Sequence, residues 1–139
     1  MPFEKVVCTG GSGRLGRHVV DRLAKNACVT VLDLAPPRDA GNANVGYVRG
    51  DITDYEALKA AFRGHDAVVH LAAIPNPRSA PAAVTFNINV QGAWAVLQAA
   101  EDAGIKRVAC RQHRGVRSAS ARCLCSSRDP RTKIRSRPR

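Results

Sequence analysis

The feature that most restricts the fold of this chain is a glycine-rich segment, TGGSGRLG, at residues 9–16. It follows a short apolar run at residues 5–9, which is typical of a buried parallel strand. It precedes residues 14–26, in which apolar side chains recur on one face of a helix. A strand, a glycine turn and a helix in this order aim backbone amides from the positive end of the helix, where an anion such as phosphate binds.

Three glycines of this segment have different expected roles. Gly10 permits the tight turn, Gly13 lets the backbone approach a pyrophosphate, and Gly16 lets the helix pack close to the sheet. We expect the amides of Ser12 to Leu15 to point at phosphate oxygens. A flexible glycine turn without a ligand is the alternative interpretation. The segment predicts a dinucleotide site, with pyrophosphate contacts at Gly10, Ser12, Gly13, Arg14, Leu15 and Gly16.

Strands and helices alternate along the rest of the first 110 residues. Further strands are predicted at residues 29–33, 45–49, 66–71 and 106–110, and helices at residues 54–62 and 82–103. Short connections between such elements indicate a parallel sheet that is covered on both faces. The expected fold is α/β, a Rossmann-type doubly wound parallel sheet, truncated after about the fifth strand.

Asp33 stands at the end of the predicted second strand, 17 residues after Gly16. A carboxylate at that position can accept both hydroxyls of a ribose, and it repels a 2′-phosphate. The expected cofactor is therefore NAD rather than NADP. Arg38 lies nearby and weakens that preference if its loop folds back. An ordinary aspartate in a surface turn is the alternative interpretation of Asp33.

Four segments, taken in order, resemble the extended short-chain dehydrogenase/reductase family, the NAD-dependent epimerase/dehydratase group. They are the glycine turn, GDITD at residues 50–54, HLAA at residues 70–73 and NVQG at residues 89–92. The resemblance implies that Asp51 and Ile52 contact adenine, Asp51 through the adenine amino group. It also implies that the nicotinamide end of the cofactor is lined by Leu71, Ala72, Ala73 and Asn89, the asparagine helping to organise the active site.

Three residues of these segments also have a purely structural interpretation. Asp51 can be only a helix-capping residue. His70 is better explained as a packed strand residue than as a base, and Asn89 can be a solvated polar residue of a helix. The structure can distinguish these alternatives through hydrogen bonds and burial.

The family resemblance implies proton transfer by a Tyr-x-x-x-Lys pair with a serine or threonine, placed beyond the fifth strand. Residues 108–118 read VACRQHRGVRS and contain no counterpart of that set. Tyr55 and Lys59 match the pattern, but they lie on the helix that follows the adenine-side segment. Residues spaced i, i+4 share one face of many surface helices, so we predict no catalytic role for this pair. We predict no catalytic residue and no metal site in this chain.

The positive charge of the chain is concentrated in its last 31 residues. The net charge is +11, of which residues 1–108 contribute +2 and residues 109–139 contribute +9. We therefore divide the chain into an NAD-binding Rossmann half-domain, 1–108, and a basic irregular tail, 109–139. We hypothesise that the tail is an off-frame reading of the family's normal continuation, which the coding DNA would test. A basic arm for nucleic acid is the rival interpretation, but residues 109–139 contain no aromatic side chain to stack on a base.

The expected function follows from the resemblance. It is an NAD-dependent sugar epimerase, dehydratase or dehydrogenase, acting on a nucleotide sugar or sugar acid, of which this chain holds the cofactor without competent chemistry. The alternatives are a non-catalytic NAD-binding or sensing module, and a basic-tailed protein associated with nucleic acid. Expected partners are the dinucleotide, the sugar of the parent family and a second copy in a homodimer. The chain has no apolar run of the ~18 residues that a membrane span needs, and its odd number of cysteines suggests free thiols, so a cytoplasmic location is expected.

Overall fold

The structure, a computed structural model, describes residues 4–38, 41–76 and 78–111. Within these ranges the strands are β1 (Lys5–Thr9), β2 (Cys28–Asp33), β3 (Val45–Arg49), β4 (Ala67–His70) and β5 (Val108–Cys110). All of them pair in parallel in one sheet of order β3-β2-β1-β4-β5. The alternation of apolar runs with helices thus gave the correct sheet type.

Helices connect these strands on both faces of the sheet. They are α1 (Arg14–Leu23), α2 (Tyr55–Phe62), α3 (Ala82–Phe86) and α4 (Ala93–Asp102), with a π-helical turn (Asn87–Gly92) between α3 and α4. The backbone stays helical through both junctions, so α3, the π-helical turn and α4 form one continuous rod. The prediction of a single α-helix at residues 82–103 is right in extent, and wrong in hydrogen-bonding pattern over residues 87–92.

The two faces of the sheet carry separate apolar cores, because successive side chains of a strand point to opposite faces. On one face α1 packs on β1 and β2 through Cys8, Val20, Ala24, Val29 and Val31. On the other face α2 and α4 pack on the sheet through Val7, Leu32, Leu58, Phe62, Val68, Val96, Ala99 and Ala100. Burial of these side chains is the main contribution to stability. The doubly wound arrangement expected from the sequence is confirmed.

Two predicted boundaries move slightly. α1 ends at Leu23 rather than residue 26, and the amide of Asn26 then bonds the carbonyl of Leu23 three residues back, a tighter turn than that of an α-helix. At the other end of the described chain β5 extends to Cys110, so the domain boundary that we placed at residue 108 falls inside a strand. The predicted basic tail lies almost wholly outside the described residues and stays a prediction.

The strand order creates a crevice between β1 and β4. The chain leaves β1 toward β2 on one side, and later crosses to β4 on the other side. Connections after the two neighbouring strands therefore diverge at their carboxyl ends, next to Thr9 and His70. In open α/β sheets this point is where ligands bind. Within the described ranges, no helix is long and apolar enough to cross a membrane.

Candidate functional site

The glycine turn after β1 lies against the connection that leaves β4. Gly10 has φ +72°, a left-handed conformation that favours glycine. A Cβ on Gly10 would also lie 2.4 Å from the backbone nitrogen of Ala72. The absence of a side chain at Gly10 therefore lets the two backbones touch directly after β1 and β4, before the connections diverge.

The other glycines of the turn serve different contacts. A Cβ on Gly16 would lie 2.1 Å from the carbonyl oxygen of Gly10, so the close packing predicted for Gly16 is made against the turn rather than the sheet. Gly13 is exposed, and a Cβ there would have one neighbour, the oxygen of Gly10 at 3.3 Å. Sequence reasoning missed Gly11. This residue is buried, and a Cβ on it would lie 2.8 Å from Val31 Cγ1. Its only sequence signal was the doublet Gly10–Gly11.

Two of the four amides expected to face phosphate are engaged within the protein. The amide of Ser12 donates to Asp33 Oδ2 at 3.1 Å, and the amide of Gly13 donates to the carbonyl of Gly10 at 3.2 Å. The expectation that all four amides point at phosphate is therefore wrong for these two. No side chain caps the beginning of α1, which leaves the first-turn amides of Arg14 and Leu15 at its positive end.

Asp33 is held rigidly at the end of β2. Its Oδ2 accepts from Ser12, and its Oδ1 accepts from the amide of Leu34 at 2.7 Å. The half-buried carboxylate is thus tied to the glycine turn, and is not a free surface aspartate. Its charge acts on the buried thiol of Cys8. Burial, with a smaller effect of Asp33, raises the pKa of Cys8 to about 12, so this thiol stays protonated and is not a nucleophile.

Residues 50–54, which the family resemblance predicts to contact adenine, form a turn before α2. Asp51 Oδ1 accepts from both the amide and the hydroxyl of Thr53, each at 2.9 Å. The helix cap is Asp54, whose side chain accepts from the amide of Ala57 at 3.1 Å. Helix capping by Asp51, the structural alternative, is therefore wrong. Ile52 is 5% exposed and packs in the core, so only its backbone can meet a ligand.

The loop after β4 is fixed by Asn89 of the π-helical turn. Asn89 Oδ1 accepts from the amide of Ile74 at 2.8 Å, and Asn89 Nδ2 donates to the carbonyl of Ile74 at 3.0 Å. The interpretation of Asn89 as a solvated helix residue is wrong, since both polar atoms of its side chain are bonded. Leu71 and Ala72 are half-buried and Ala73 is exposed, so this fixed loop borders the crevice.

His70 packs beneath the crevice. Its Nδ1 lies 2.7 Å from the hydroxyl of Thr9, and both side chains are buried. Burial lowers the pKa of His70 to about 4, so the ring is neutral near pH 7. The interpretation of His70 as a packed strand residue is confirmed.

Tyr55 and Lys59 lie on α2, and both side chains contact other residues of the two helices α2 and α4. The hydroxyl of Tyr55 donates to the carboxylate of Asp102, which joins the beginning of α2 to the end of α4. This hydrogen bond, with smaller effects of desolvation and nearby acids, raises the pKa of Tyr55 to about 12. Lys59 lies 5.4 Å from the centre of the Tyr55 ring and 3.5 Å from Glu56. A tyrosine that exchanges protons needs a lowered pKa, so this pair has a structural role.

A parallel sheet in this order, with a glycine turn at its switch point and an acid at the end of the second strand, defines a Rossmann-type dinucleotide-binding domain. The model of the NAD dependent epimerase/dehydratase family matches residues 6–110. The chain belongs to that family, as the resemblance of its motifs implied, and the cofactor of the family is NAD. In the described part of the chain, no group of three or more His, Cys, Asp or Glu is placed to hold a metal ion.

Relatives of known activity share this region. The chain is 38% identical over 106 residues to the L-arabinose 1-dehydrogenase (NAD(P)(+)) of Haloferax volcanii, covering 76% of this chain and 39% of that protein. Uronate dehydrogenase from Agrobacterium tumefaciens superposes with a TM-score of 0.71 at 31% identity, covering 81% and 41%. A short-chain dehydrogenase/reductase superfamily protein from the same organism, with bound NAD, has a TM-score of 0.65 at 35% identity, covering 77% and 32%. The chain thus spans about two fifths or less of the length of these relatives.

Proposed function

We propose that this chain holds NAD as the cofactor-binding part of an enzyme that oxidises, epimerises or dehydrates a sugar. The hydrogen bond between the amide of Ser12 and the carboxylate of Asp33 carries the proposal. It joins the glycine turn to the acid at the end of β2. A ribose that lies against Asp33 then has its phosphate beside the first turn of α1.

The residues present fit a dinucleotide. Gly13 is exposed at the beginning of α1, so a Cβ there would occupy space beside the turn that the pyrophosphate would take. The amides of Arg14 and Leu15 would hold the pyrophosphate, and Asp33 would accept the hydroxyls of the adenosine ribose and disfavour a 2′-phosphate. Asp51 and the backbone of Ile52 would face adenine. Leu71, Ala72, Ala73 and Asn89 would line or fix the nicotinamide end.

Sugar chemistry is proposed from the relatives, two of which are a pentose dehydrogenase and a uronate dehydrogenase. NAD, when bound, supplies hydride transfer to or from a sugar carbon. We assign no catalytic residue, because Tyr55 is committed to Asp102 and residues 109–118 offer no counterpart of the family's Ser, Tyr and Lys. The chain as given is therefore proposed to bind NAD without turning over a sugar. Because β5 extends to Cys110, we move the end of the cofactor-binding part from residue 108 to residue 110 and keep the basic tail after it.

Titration of the purified chain with NADH and NADPH, followed by nicotinamide fluorescence, tests the proposal. We expect NADH to bind more tightly than NADPH. Asp33→Asn keeps a group that accepts from Ser12 but removes the charge, so NADH affinity should fall roughly tenfold, as expected for a hydrogen bond to a charged group. The preference over NADPH should narrow at the same time. Equal affinities for both cofactors in the unmodified chain would contradict the role of Asp33.

Asp21→Asn is the matched control, because Asp21 is an exposed acid in the second half of α1. It removes the same charge and should leave both affinities unchanged. Oxidation of L-arabinose and of galacturonate is measured on the same protein preparations, with NAD⁺ supplied as the hydride acceptor. NADH binding without turnover supports the proposal and fits a non-catalytic NAD-binding module equally well at this level. Turnover of either sugar would contradict our view that the proton-transfer residues are missing.

A homodimer and a cytoplasmic location complete the proposal. Large apolar side chains are exposed along the rod formed by α3 and α4, with Phe86 57% and Trp94 64% exposed, and a second copy would cover them. Sedimentation of the chain and of Trp94→Glu tests this, and a monomer at all concentrations would contradict it. The thiols of Cys8 and Cys28, both free in the structure, suit a reducing compartment.

A further inference from the structure

The π-helical turn makes two contacts that reach opposite ends of the proposed cofactor site. Asn89 pairs with both backbone polar groups of Ile74, in the loop on the nicotinamide side. Gly92, three residues later, lies against Ile52 of the turn on the adenine side. A single turn of helix therefore touches the supports of both halves of the cofactor.

The side chain of Asn89 forms two hydrogen bonds with the backbone of one residue, Ile74. Its side-chain amide gives one acceptor and one donor to a single residue, at 2.8 and 3.0 Å. Any rotation of the helical turn must carry the loop at Ile74 with it or break both hydrogen bonds. The loop in turn crosses Gly10, where a Cβ would meet the backbone of Ala72.

The contact at Gly92 depends on a missing side chain. Gly92 is buried, and a Cβ there would lie 2.6 Å from Ile52 Cδ1 and 2.9 Å from Ile52 Cγ1. The end of the Ile52 side chain therefore rests on the helix itself. Because Ile52 adjoins Asp51, a shift of this side chain moves the turn that would face adenine.

The hydrogen-bonding pattern of this segment separates it from the helices on either side. Residues 87–92 form a π-helical turn, a rare arrangement that often marks functional sites. Both contacts originate inside this one turn, so a change at either contact is transmitted over three residues of helix.

We propose that the π-helical turn couples the two halves of the cofactor site: adenosine bound at the Asp51 turn holds Ile52 against Gly92, and Asn89 then holds the Ile74 loop in place for the nicotinamide ribose. The inference rests on the proposed function. Asn89, Gly92 and Ile52 act as positioning residues in it. The adenosine part of the dinucleotide thereby organises the site for the reactive part.

Hydrogen exchange at the amide of Ile74 tests the coupling, because this amide exchanges only when its bond to Asn89 opens. The probe is ADP at saturating concentration, which contains no nicotinamide ribose. ADP should slow exchange at Ile74 by roughly fivefold or more, the range of typical coupling between sites. The amide of Val68, which donates to the carbonyl of Arg107 across the sheet, reports global unfolding and corrects for general stabilisation.

Variants separate the route through Gly92 from other routes. Gly92→Ala should bind ADP more weakly and, even at saturating ADP, should lose the protection of Ile74, because the added methyl displaces Ile52 and the adjoining Asp51 turn. Gly92→Ala combined with Ile52→Val removes the 2.6 Å contact with Cδ1 and keeps the 2.9 Å contact at Cγ1, so it should restore part of the protection. Ile52→Val alone removes Cδ1 without adding bulk and should reduce the protection, which keeps the test usable if Gly92→Ala does not fold. Gln91→Ala, an exposed neighbour in the same turn, is the control and should behave as the unmodified chain.

Each remaining outcome is decisive. If ADP protects Ile74 equally in Gly92→Ala, the effect travels through the glycine turn and the coupling is refuted. It is also refuted if bound ADP leaves Ile74 unprotected in the unmodified chain. If titration shows that neither ADP nor NADH binds, the proposed function itself fails, and the coupling fails with it.

Discussion

Gly13 and Gly16 stand three residues apart in the same turn, yet their missing side chains have different consequences. A Cβ on Gly16 would overlap a backbone oxygen at 2.1 Å, which no side-chain rotation can relieve. A Cβ on Gly13 would lie 3.3 Å from the same oxygen, a close contact that a shift of a few tenths of an ångström relieves, at an exposed position beside α1. Single residues therefore separate the requirements of folding from those of binding.

Substitution of each glycine by alanine should show this difference. Gly16→Ala should lower the free energy of unfolding by about 3 kcal/mol or more, because the clash is with backbone. Gly13→Ala should change it by about 1 kcal/mol or less, the scale of a helix N-cap change, yet weaken NADH binding more than about tenfold. Urea unfolding and fluorescence titration measure the two quantities. Unchanged NADH affinity in Gly13→Ala would contradict the pyrophosphate site.

His70 makes the stability of the fold depend on pH. Burial lowers its pKa from 6.5 to about 4, so the unfolded chain binds a proton at higher pH than the folded chain does. The resulting stabilisation is complete above pH 6.5 and is lost as the pH falls toward 4, by about 3 kcal/mol in total. Urea unfolding between pH 4 and pH 7.5 should show this loss in the unmodified chain.

The variant His70→Gln should lack that part of the pH dependence, since glutamine can still bond Thr9 but does not titrate. Hydrogen bonds lower the carboxyl pKa of Asp66 and of Asp102. Both residues therefore also lose stabilising interactions as the pH falls. Both aspartates are present in the unmodified chain and in His70→Gln, so the difference between the pH profiles of the two proteins isolates the contribution of His70. Identical profiles would mean that His70 is not buried as the structure describes.

At the scale of elements, the turn between β3 and α2 shows how neighbouring acids divide two tasks. Asp54 caps α2 by accepting from Ala57, while Asp51 bonds Thr53 within the turn. Sequence alone could not separate these roles, because both aspartates precede the helix by a few residues. The decision depends on the backbone conformation of the turn, where Asp54 adopts the extended geometry of an N-cap.

Alanine at Asp54 and alanine at Asp51 should differ in their effect on NADH affinity. Asp54→Ala should cost about 1 kcal/mol of stability through the lost cap and leave NADH affinity unchanged. Asp51→Ala should cost about 1 kcal/mol, because half-buried Asp51 loses its two hydrogen bonds to Thr53, and it should weaken NADH binding by about tenfold. Thermal unfolding with and without NADH measures both. A binding defect in Asp54→Ala equal to that in Asp51→Ala would contradict the adenine assignment.

The rod formed by α3, the π-helical turn and α4 marks what apolar periodicity can and cannot predict. Its extent follows from the pattern of residues 82–103, and its interrupted hydrogen bonding does not. That interruption coincides with contacts to Ile74 and Ile52, residues distant in the chain. Local propensity carries no information on such tertiary contacts, although asparagine and glycine weaken an α-helix at these positions.

For the whole molecule, sequence patterns that span a few residues predicted the sheet and most of the proposed site. Hydrogen bonds between residues distant in the chain were not predicted. The glycine turn, the acid at Asp33 and the order of the four family motifs all rest on local spacing. The bonds from Ser12 to Asp33 and from Tyr55 to Asp102 join residues 21 and 47 positions apart. Their existence depends on how the sheet and helices pack, which a single sequence does not state.

Ligand binding at a site that spans both connections of the crevice should stabilise the folded chain as a unit. NAD at a hundred times its dissociation constant should add about 2.7 kcal/mol to the free energy of unfolding. At roughly 4–5 °C per kcal/mol for a domain of this size, that corresponds to a rise in Tm of roughly 11–14 °C. Gly13→Ala should show little of this rise, because its turn admits the pyrophosphate poorly. Double-stranded DNA at low salt is the contrasting ligand. If DNA raises the Tm and added salt abolishes that rise, the result favours the basic-arm interpretation instead. A rise with NAD that is unchanged in Gly13→Ala would place the bound nucleotide somewhere other than the glycine turn.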